Sequence, residues 1–129
     1  MKHKTVLLID DDEDDQHIFK DAIKEVYSGI ECLMAGNGRD AFLQLDKSST
    51  LPSMIFLDLN MPVMNGFEFL ERIRNNDRFK NIPVVIYTTS DNPLDKKNTL
   101  AAGAVSFFTK TADFKFLKLK LTEILEHNF

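Results

Sequence analysis

Met54-Ile55-Phe56-Leu57-Asp58-Leu59-Asn60-Met61-Pro62 runs four apolar residues straight into a carboxylate, with a proline-bearing loop directly behind it. An apolar run this short, ending abruptly in a charge, reads as a buried strand that delivers one acid to the edge of a sheet. A lone strand-end Asp is more often a turn or helix-capping residue. The rest of the chain decides between these readings, because other strand ends carry polar residues of a matching kind.

A chain of 129 residues fits a single domain over 1–129, long enough to bury a core without staples, and no separate output domain is expected. The formal net charge of -4 leaves no global basic surface, so nucleic acid is not an expected partner. No apolar run approaches membrane-spanning length, and Met1-Lys2-His3-Lys4 leads into only a short apolar run with no cleavage-like site. The lone cysteine, Cys32, excludes an internal disulfide and fits a reducing compartment. It falls in a predicted strand, which suits an inert buried thiol. The expected location is therefore cytoplasmic.

Thr5-Val6-Leu7-Leu8-Ile9 is a continuous apolar run suited to a central parallel strand. The unbroken acidic run Asp10-Asp11-Asp12-Glu13-Asp14-Asp15 follows it. Blocks of like charge are usually disordered tails. This one is wedged between a buried strand and a helix whose Ile18, Phe19, Ala22, Ile23, Val26 and Tyr27 recur at helical spacing. The later acids suit the first turn of that helix, where the dipole favours negative charge. Asp10 and Asp11 come too early for that explanation.

Ile30 to Ala35 reads as a second strand, Gly36-Asn37-Gly38 as a turn, and Ala41, Phe42 and Leu45 as the inner face of a short helix. After Pro62, Asn65 and Glu68 form a capping-box pattern ahead of Phe67, Leu70 and Ile73. A fourth strand, Val84 to Tyr87, ends at Thr88-Thr89-Ser90. Asn92 and Pro93 then start a helix with only Leu94, Leu100, Ala101 and Ala102 for apolar contact, so it is expected to be the least firmly packed. Ala104 to Phe108 is a short fifth strand, followed by Thr109 and Lys110. Thr111 is expected to cap the last helix, with Asp113 in its first turn and Phe114, Leu117, Leu121, Ile124 and Leu125 facing inward. Phe116 and Leu119 fall outside that stripe; they are either its broad edge, the favoured placement, or an exposed contact surface.

Strands alternating with helices throughout imply an α/β fold, a doubly wound five-stranded parallel sheet with helices on both faces. In such a sheet the strands' C-terminal ends share one edge, where ligands bind. Asp10, Asp11, Asp58, Thr88 and Lys110 all fall at or just past such ends. Each has an innocent reading alone, but together they describe one pocket. At ~4 Å, each pair of ionised carboxylates repels by roughly 4 kcal/mol at a protein-like dielectric. A hard cation such as Mg²⁺ relieves that crowding while keeping waters and phosphate oxygens. A lysine and a hydroxyl opposite the acids suit phosphoryl oxygens. An aspartate that accepts a phosphoryl group is the chemistry these residues describe.

The motifs Leu7-Leu8-Ile9-Asp10-Asp11, Asp58-Leu59-Asn60-Met61-Pro62 with Gly66, Pro83-Val84-Val85-Ile86-Tyr87-Thr88, and Lys110 resemble the receiver domains of two-component response regulators. The single-domain chemotaxis-regulator type is the nearest form. The resemblance covers essentially the whole chain and implies a flavodoxin-like (βα)5 fold with strand order 2-1-3-4-5. It further implies that Asp58 takes a phosphoryl group from a sensor histidine kinase or histidine phosphotransfer protein. Asp11, Asp58 and the backbone carbonyl of Asn60 would hold Mg²⁺, with Asp10 reaching it through water, and Lys110 would contact the phosphoryl group. Thr88 would move towards that group and let Phe107 turn inward, reshaping the surface of helix four, strand five and helix five for a downstream protein target or a dimer. Asn60 and Ser90 occupy positions that tune phosphoryl loss in the family.

One residue departs from the family pattern. Proline usually follows the lysine, often in a cis peptide; here Thr111 follows, and a trans bond is expected, since a non-proline cis bond costs ~3 kcal/mol. Phe107 also lacks the hydroxyl of the tyrosine common at its position. Two other functions compete with the switch reading: an aspartyl-phosphate phosphohydrolase and a degenerate receiver acting only as a binding module. Many such hydrolases need an acid two residues after the nucleophile, where this chain has Asn60. The complete Asp, Thr and Lys set argues against the degenerate form.

Overall fold

The computed structural model describes residues 4–128. Strands β1 (Lys4–Ile9), β2 (Ile30–Ala35), β3 (Met54–Leu57), β4 (Val84–Thr88) and β5 (Ser106–Thr109) alternate with helices α1 (Glu13–Val26), α2 (Gly38–Lys47), α3 (Gly66–Arg74), α4 (Pro93–Ala101) and α5 (Phe114–Asn128). All neighbouring strands pair in parallel, in the order β2-β1-β3-β4-β5. The doubly wound sheet and the implied strand order are both present.

Alternation along the strands splits the core in two. Leu7, Ile9, Ile55 and Leu57 join Ala41 and Leu45 of α2 and Phe69, Leu70 and Ile73 of α3. Val6, Leu8, Met54 and Phe56 face the other way, against Phe19, Ala22 and Ile23 of α1 and Leu117, Leu121, Ile124 and Leu125 of α5. All four residues of β3 are buried, as expected of a strand covered on both faces. Phe19 and Phe56 meet edge to face, with ring centroids 4.8 Å apart. Truncating either to Ala would cost about 3–5 kcal/mol.

Side chains end or begin the helices as their chemistry dictates. Asp12 caps α1, Asn37 caps α2, and Asn65 with Glu68 closes a reciprocal capping box on α3. Asn92 caps α4, with Pro93 in its first turn. The cap of α5 differs from expectation. Asp113, not Thr111, accepts the Phe116 N–H at 3.2 Å, while the Thr111 hydroxyl accepts the Asp113 N–H at 3.1 Å. The helix starts later than expected because Thr111 forms the turn that leads into it. The Lys110–Thr111 peptide is trans, as expected.

Four helical faces also differ. In α1 the buried residues are Phe19, Ala22 and Ile23, while Ile18 and the C-capping Tyr27 are exposed. In α3 the inner face is Phe69, Leu70 and Ile73, and Phe67 is exposed, because it sits roughly 110° around the helix from their centre. In α5 Phe116 and Leu119 are exposed, not core-edge; Leu119 lies nearly opposite the buried stripe. In α4 the apolar Leu94, Leu100, Ala101 and Ala102 all stay exposed, and the residue it buries is Thr99. Thr99 tolerates burial because its hydroxyl donates to the Asp95 carbonyl at 2.7 Å within the helix. The weak packing expected of α4 is therefore present, for a stronger reason than its composition suggested.

Arg74, at the end of α3, donates to the carbonyls of Lys80, Ile82 and Gly103. It thereby joins the start of β4 to the turn after α4. Burial lowers its pKa. Among the described residues, no helix is long and apolar enough to cross a membrane.

Candidate functional site

The backbone ladder runs one residue beyond three strands and fixes the residue immediately after each. Asp10 donates its N–H to Ala35 O at 3.0 Å, Asp58 to Ile9 O at 3.0 Å, and Lys110 to Thr88 O at 2.7 Å. The sheet thus places these residues at its C-terminal edge with strand-like rigidity. β1 lies between β2 and β3 in the sheet, so the strand order reverses beside Asp10 and Asp58.

Lys110 stands at the centre of the acids. Its Nζ lies 2.6 Å from Asp10 Oδ2, 2.8 Å from Asp15 Oδ2 and 3.3 Å from Asp58 Oδ2. Asp10 is fully buried and Asp58 nearly so. Asp10 Oδ1 accepts the Asp12 N–H at 3.0 Å, and the Gln16 amide donates to the Asp10 carbonyl at 2.6 Å. Burial raises the pKa of Asp10, opposed by the hydrogen bond and charge of Lys110 and by the Asp12 N–H. For Lys110 burial favours the neutral amine, but Asp10, Asp15 and Asp58 more than offset it, so the net shift is upward and the ammonium is held charged.

The site has the donor set of a hard-cation centre. One carboxylate oxygen from each of Asp10, Asp11 and Asp58 lies within 4.8 Å of the others. Asp10 Oδ2 is buried, with the Lys110 ammonium 2.6 Å away as its counter-charge. Three converging carboxylates beside a single ammonium fit an oxygen-coordinated divalent ion.

The loop after β3 brings Asn60 to the rim. Asn60 is exposed, and its N–H points at Asp58 Oδ1 at 3.4 Å. Beyond Pro62 the chain reverses in a tight turn at Val63, with φ 70°, closed by Met64 N–H to Pro62 O at 2.7 Å.

Thr88 is fully buried at the end of β4, and its hydroxyl accepts the Ser90 N–H at 3.4 Å. Ser90 in turn donates to Asp95 Oδ2 at 2.5 Å, and Thr109 donates to the Ser90 carbonyl at 3.2 Å. These bonds tie the edge of the site to the first turn of α4. Phe107 is half-buried against the core cluster of α2 and α3. Of the residues singled out from sequence, Asp10, Asp11, Asp58 and Lys110 share one cluster, and Thr88 joins it through the backbone of Lys110.

Asp15 was not anticipated. It looked like an ordinary first-turn acid of α1, yet it takes one of the short contacts of Lys110 across 95 residues of sequence. The signal that could have found it is its place three residues after the capping Asp12, which returns it to the same side of the helix.

Residues 6–122 match the family described as the response regulator receiver domain. The chain is 31% identical over 124 residues to the chemotaxis protein CheY1 of Helicobacter pylori, covering 95% of this chain and 98% of that one. It is 30% identical over 112 residues to the sensor histidine kinase CheAY of the same organism, covering 87% of this chain but only 14% of the kinase. The phosphorylated cyanobacterial phytochrome response regulator RcpA superposes with a TM-score of 0.89 at 27% identity, covering 98% of this chain and 94% of that one. The Mn²⁺-bound form of response regulator Rcp1 superposes with a TM-score of 0.83 at 30% identity, covering 94% and 91%.

Proposed function

Because the chain belongs to the response regulator receiver domain family of two-component systems, we propose that it accepts a phosphoryl group on Asp58 from a phosphohistidine. The donor is a sensor histidine kinase or a histidine phosphotransfer protein. The observation that carries this reading is the placement of one nearly buried carboxylate, Asp58, between a charged lysine and two further acids at the sheet's switch point. A carboxylate oxygen of Asp58 attacks phosphorus; a P–O bond forms, the P–N bond breaks, and its electron pair stays on the imidazole nitrogen, which takes a proton from solvent.

Asp11, Asp58 and the backbone carbonyl of Asn60 would hold Mg²⁺, with Asp10 reaching it through water. When bound, the ion supplies positive charge against the phosphoryl oxygens. Lys110 supplies a second positive centre from this chain. The Thr88 hydroxyl, which accepts the Ser90 N–H, donates its own proton to a phosphoryl oxygen, and Phe107 turns inward as Thr88 moves. That movement reshapes the face of α4, β5 and α5 for a downstream protein or a second copy. The exposed Leu94, Leu100, Phe116 and Leu119 on α4 and α5 support such a contact surface. The cytoplasm, where such kinases deliver phosphoryl groups, is the proposed compartment.

A phosphohydrolase is the weaker reading, because the Asn60 side chain cannot act as the acid/base such enzymes carry at that position. Incubation with acetyl phosphate and Mg²⁺ should add one acid-labile phosphoryl group to the intact protein and none to Asp58→Asn. An adduct that survives in Asp58→Asn sinks the proposal, as does the absence of any adduct on the parent protein.

A further inference from the structure

Phosphoryl acceptance at Asp58 leaves one feature unused: the second-shortest ion pair of the Lys110 ammonium is to Asp15, on α1. An ammonium has three N–H donors. Three carboxylates already surround this one, with Asp58, the acceptor, the most distant at 3.3 Å. A phosphoryl group on Asp58 brings new oxygens and charge into the same space, where they compete with the present partners for the lysine's three N–H donors.

The three partners are unequal in what they lose on release. The Asp10 side chain is 0% exposed, so leaving it without the lysine strands a buried carboxylate. Asp58 carries the phosphoryl group itself. The Asp15 side chain is 29% exposed and sits in the first turn of a helix, where water and the helix dipole accommodate its charge. Asp15 is the partner that can leave cheaply.

We propose that Asp15 is the exchange partner of Lys110: it holds the lysine in the unphosphorylated protein and is displaced from it by the phosphoryl group on Asp58. No bond to carbon, nitrogen or phosphorus changes in the exchange; one N–H of a lysine that stays charged moves from a carboxylate to a phosphoryl oxygen. Asp15 is thus a positioning residue that acts through Lys110. The exchange also breaks a tie between α1 and the segment after β5, so phosphorylation is reported on α1 as well.

The test rests on the acceptor reading and separates from it. In the full chain, nuclear Overhauser contacts between Lys110 Hε and Asp15 Hβ should be present before acetyl phosphate and Mg²⁺ are added and lost once the adduct forms. Asp15→Asn should take up phosphoryl groups from acetyl phosphate roughly fivefold faster than Asp14→Asn, which removes the same charge from the exposed side of the same turn. Matching melting temperatures for the two variants would show that stability does not explain the difference. Persistence of the Lys110–Asp15 contact in the phosphorylated protein overturns the proposal, and so do equal uptake rates for the two variants. If the parent chain forms no adduct at all, the acceptor reading itself fails, and this inference falls with it.

Discussion

Gly66 and Asp58 pack against each other through backbone alone: a methyl on Gly66 would lie 2.4 Å from the Asp58 carbonyl oxygen and 2.7 Å from Leu59 Cα. The Gly66 N–H also donates to Leu59 O at 3.0 Å, so the start of α3 is pressed onto the acceptor residue. Neither backbone segment can yield without moving the Asp58 carboxylate. Gly66→Ala should therefore destabilise the fold by about 1–3 kcal/mol and slow phosphoryl uptake. Denaturant melts and the rate of adduct formation check this; an unchanged midpoint contradicts it.

Lys110 neutralises acids that burial has stripped of water. Lys110→Met should cost about 3–5 kcal/mol, because it leaves the fully buried Asp10 with its negative charge uncompensated. Added Mg²⁺ should raise the melting temperature of this variant more than that of the parent, since a cation replaces the lost charge. A variant that melts with the parent, with and without Mg²⁺, would show that Lys110 does not stabilise the acids.

Tyr87 gives a pH dependence. Burial, opposed by Lys110 and reinforced by Asp15, Asp10 and Asp58, pushes its hydroxyl up from 10.0 to about 12. The folded state holds this proton more tightly than the unfolded chain. Its stabilisation is therefore fully present below pH 10 and is lost as the pH rises through about 12. Tyr87→Phe should flatten the fall of stability over that window relative to the parent, measured by denaturant melts at closely spaced pH values. Identical slopes would refute the assignment.

The loosely buried α4 should show in hydrogen exchange. The amides of residues 94–101 are expected to exchange at least about tenfold faster than those of α1, because α4 buries one threonine where α1 buries Phe19, Ala22 and Ile23. Arg74→Ala should accelerate exchange further at the end of α4, since it removes the donor to Gly103 O at 3.0 Å. Equal protection of α1 and α4 contradicts the first expectation, and an unaltered α4 in Arg74→Ala the second.

The strands and their polar ends were legible because both signals are local. Met54 to Leu57 is apolar without a break, and nothing but a strand buried on both faces suits so short a run. Asp10, Asp58, Thr88 and Lys110 follow such runs, and a parallel sheet gathers them whatever the helices do. The strand order was legible only through the family resemblance.

Helix faces were less legible. Phe67 and Phe69 are equally apolar, and Phe69 is inside because α3 begins flush against Asp58 at Gly66. Thr99 in place of Leu94 and Leu100 at the base of α4, and Asp113 in place of Thr111 as the α5 cap, likewise follow from how each helix is set on the sheet.

By itself, then, the sequence determined the alternating fold, its buried strands and the acids, hydroxyl and lysine along one sheet edge, since each depends on residues adjacent in the chain. Only the tertiary structure decided which carboxylates share Lys110. Asp10 and Asp58 reach it from strand ends, but Asp15 reaches it from the first turn of α1, and where that turn sits is set by packing of the helix across the face of the sheet.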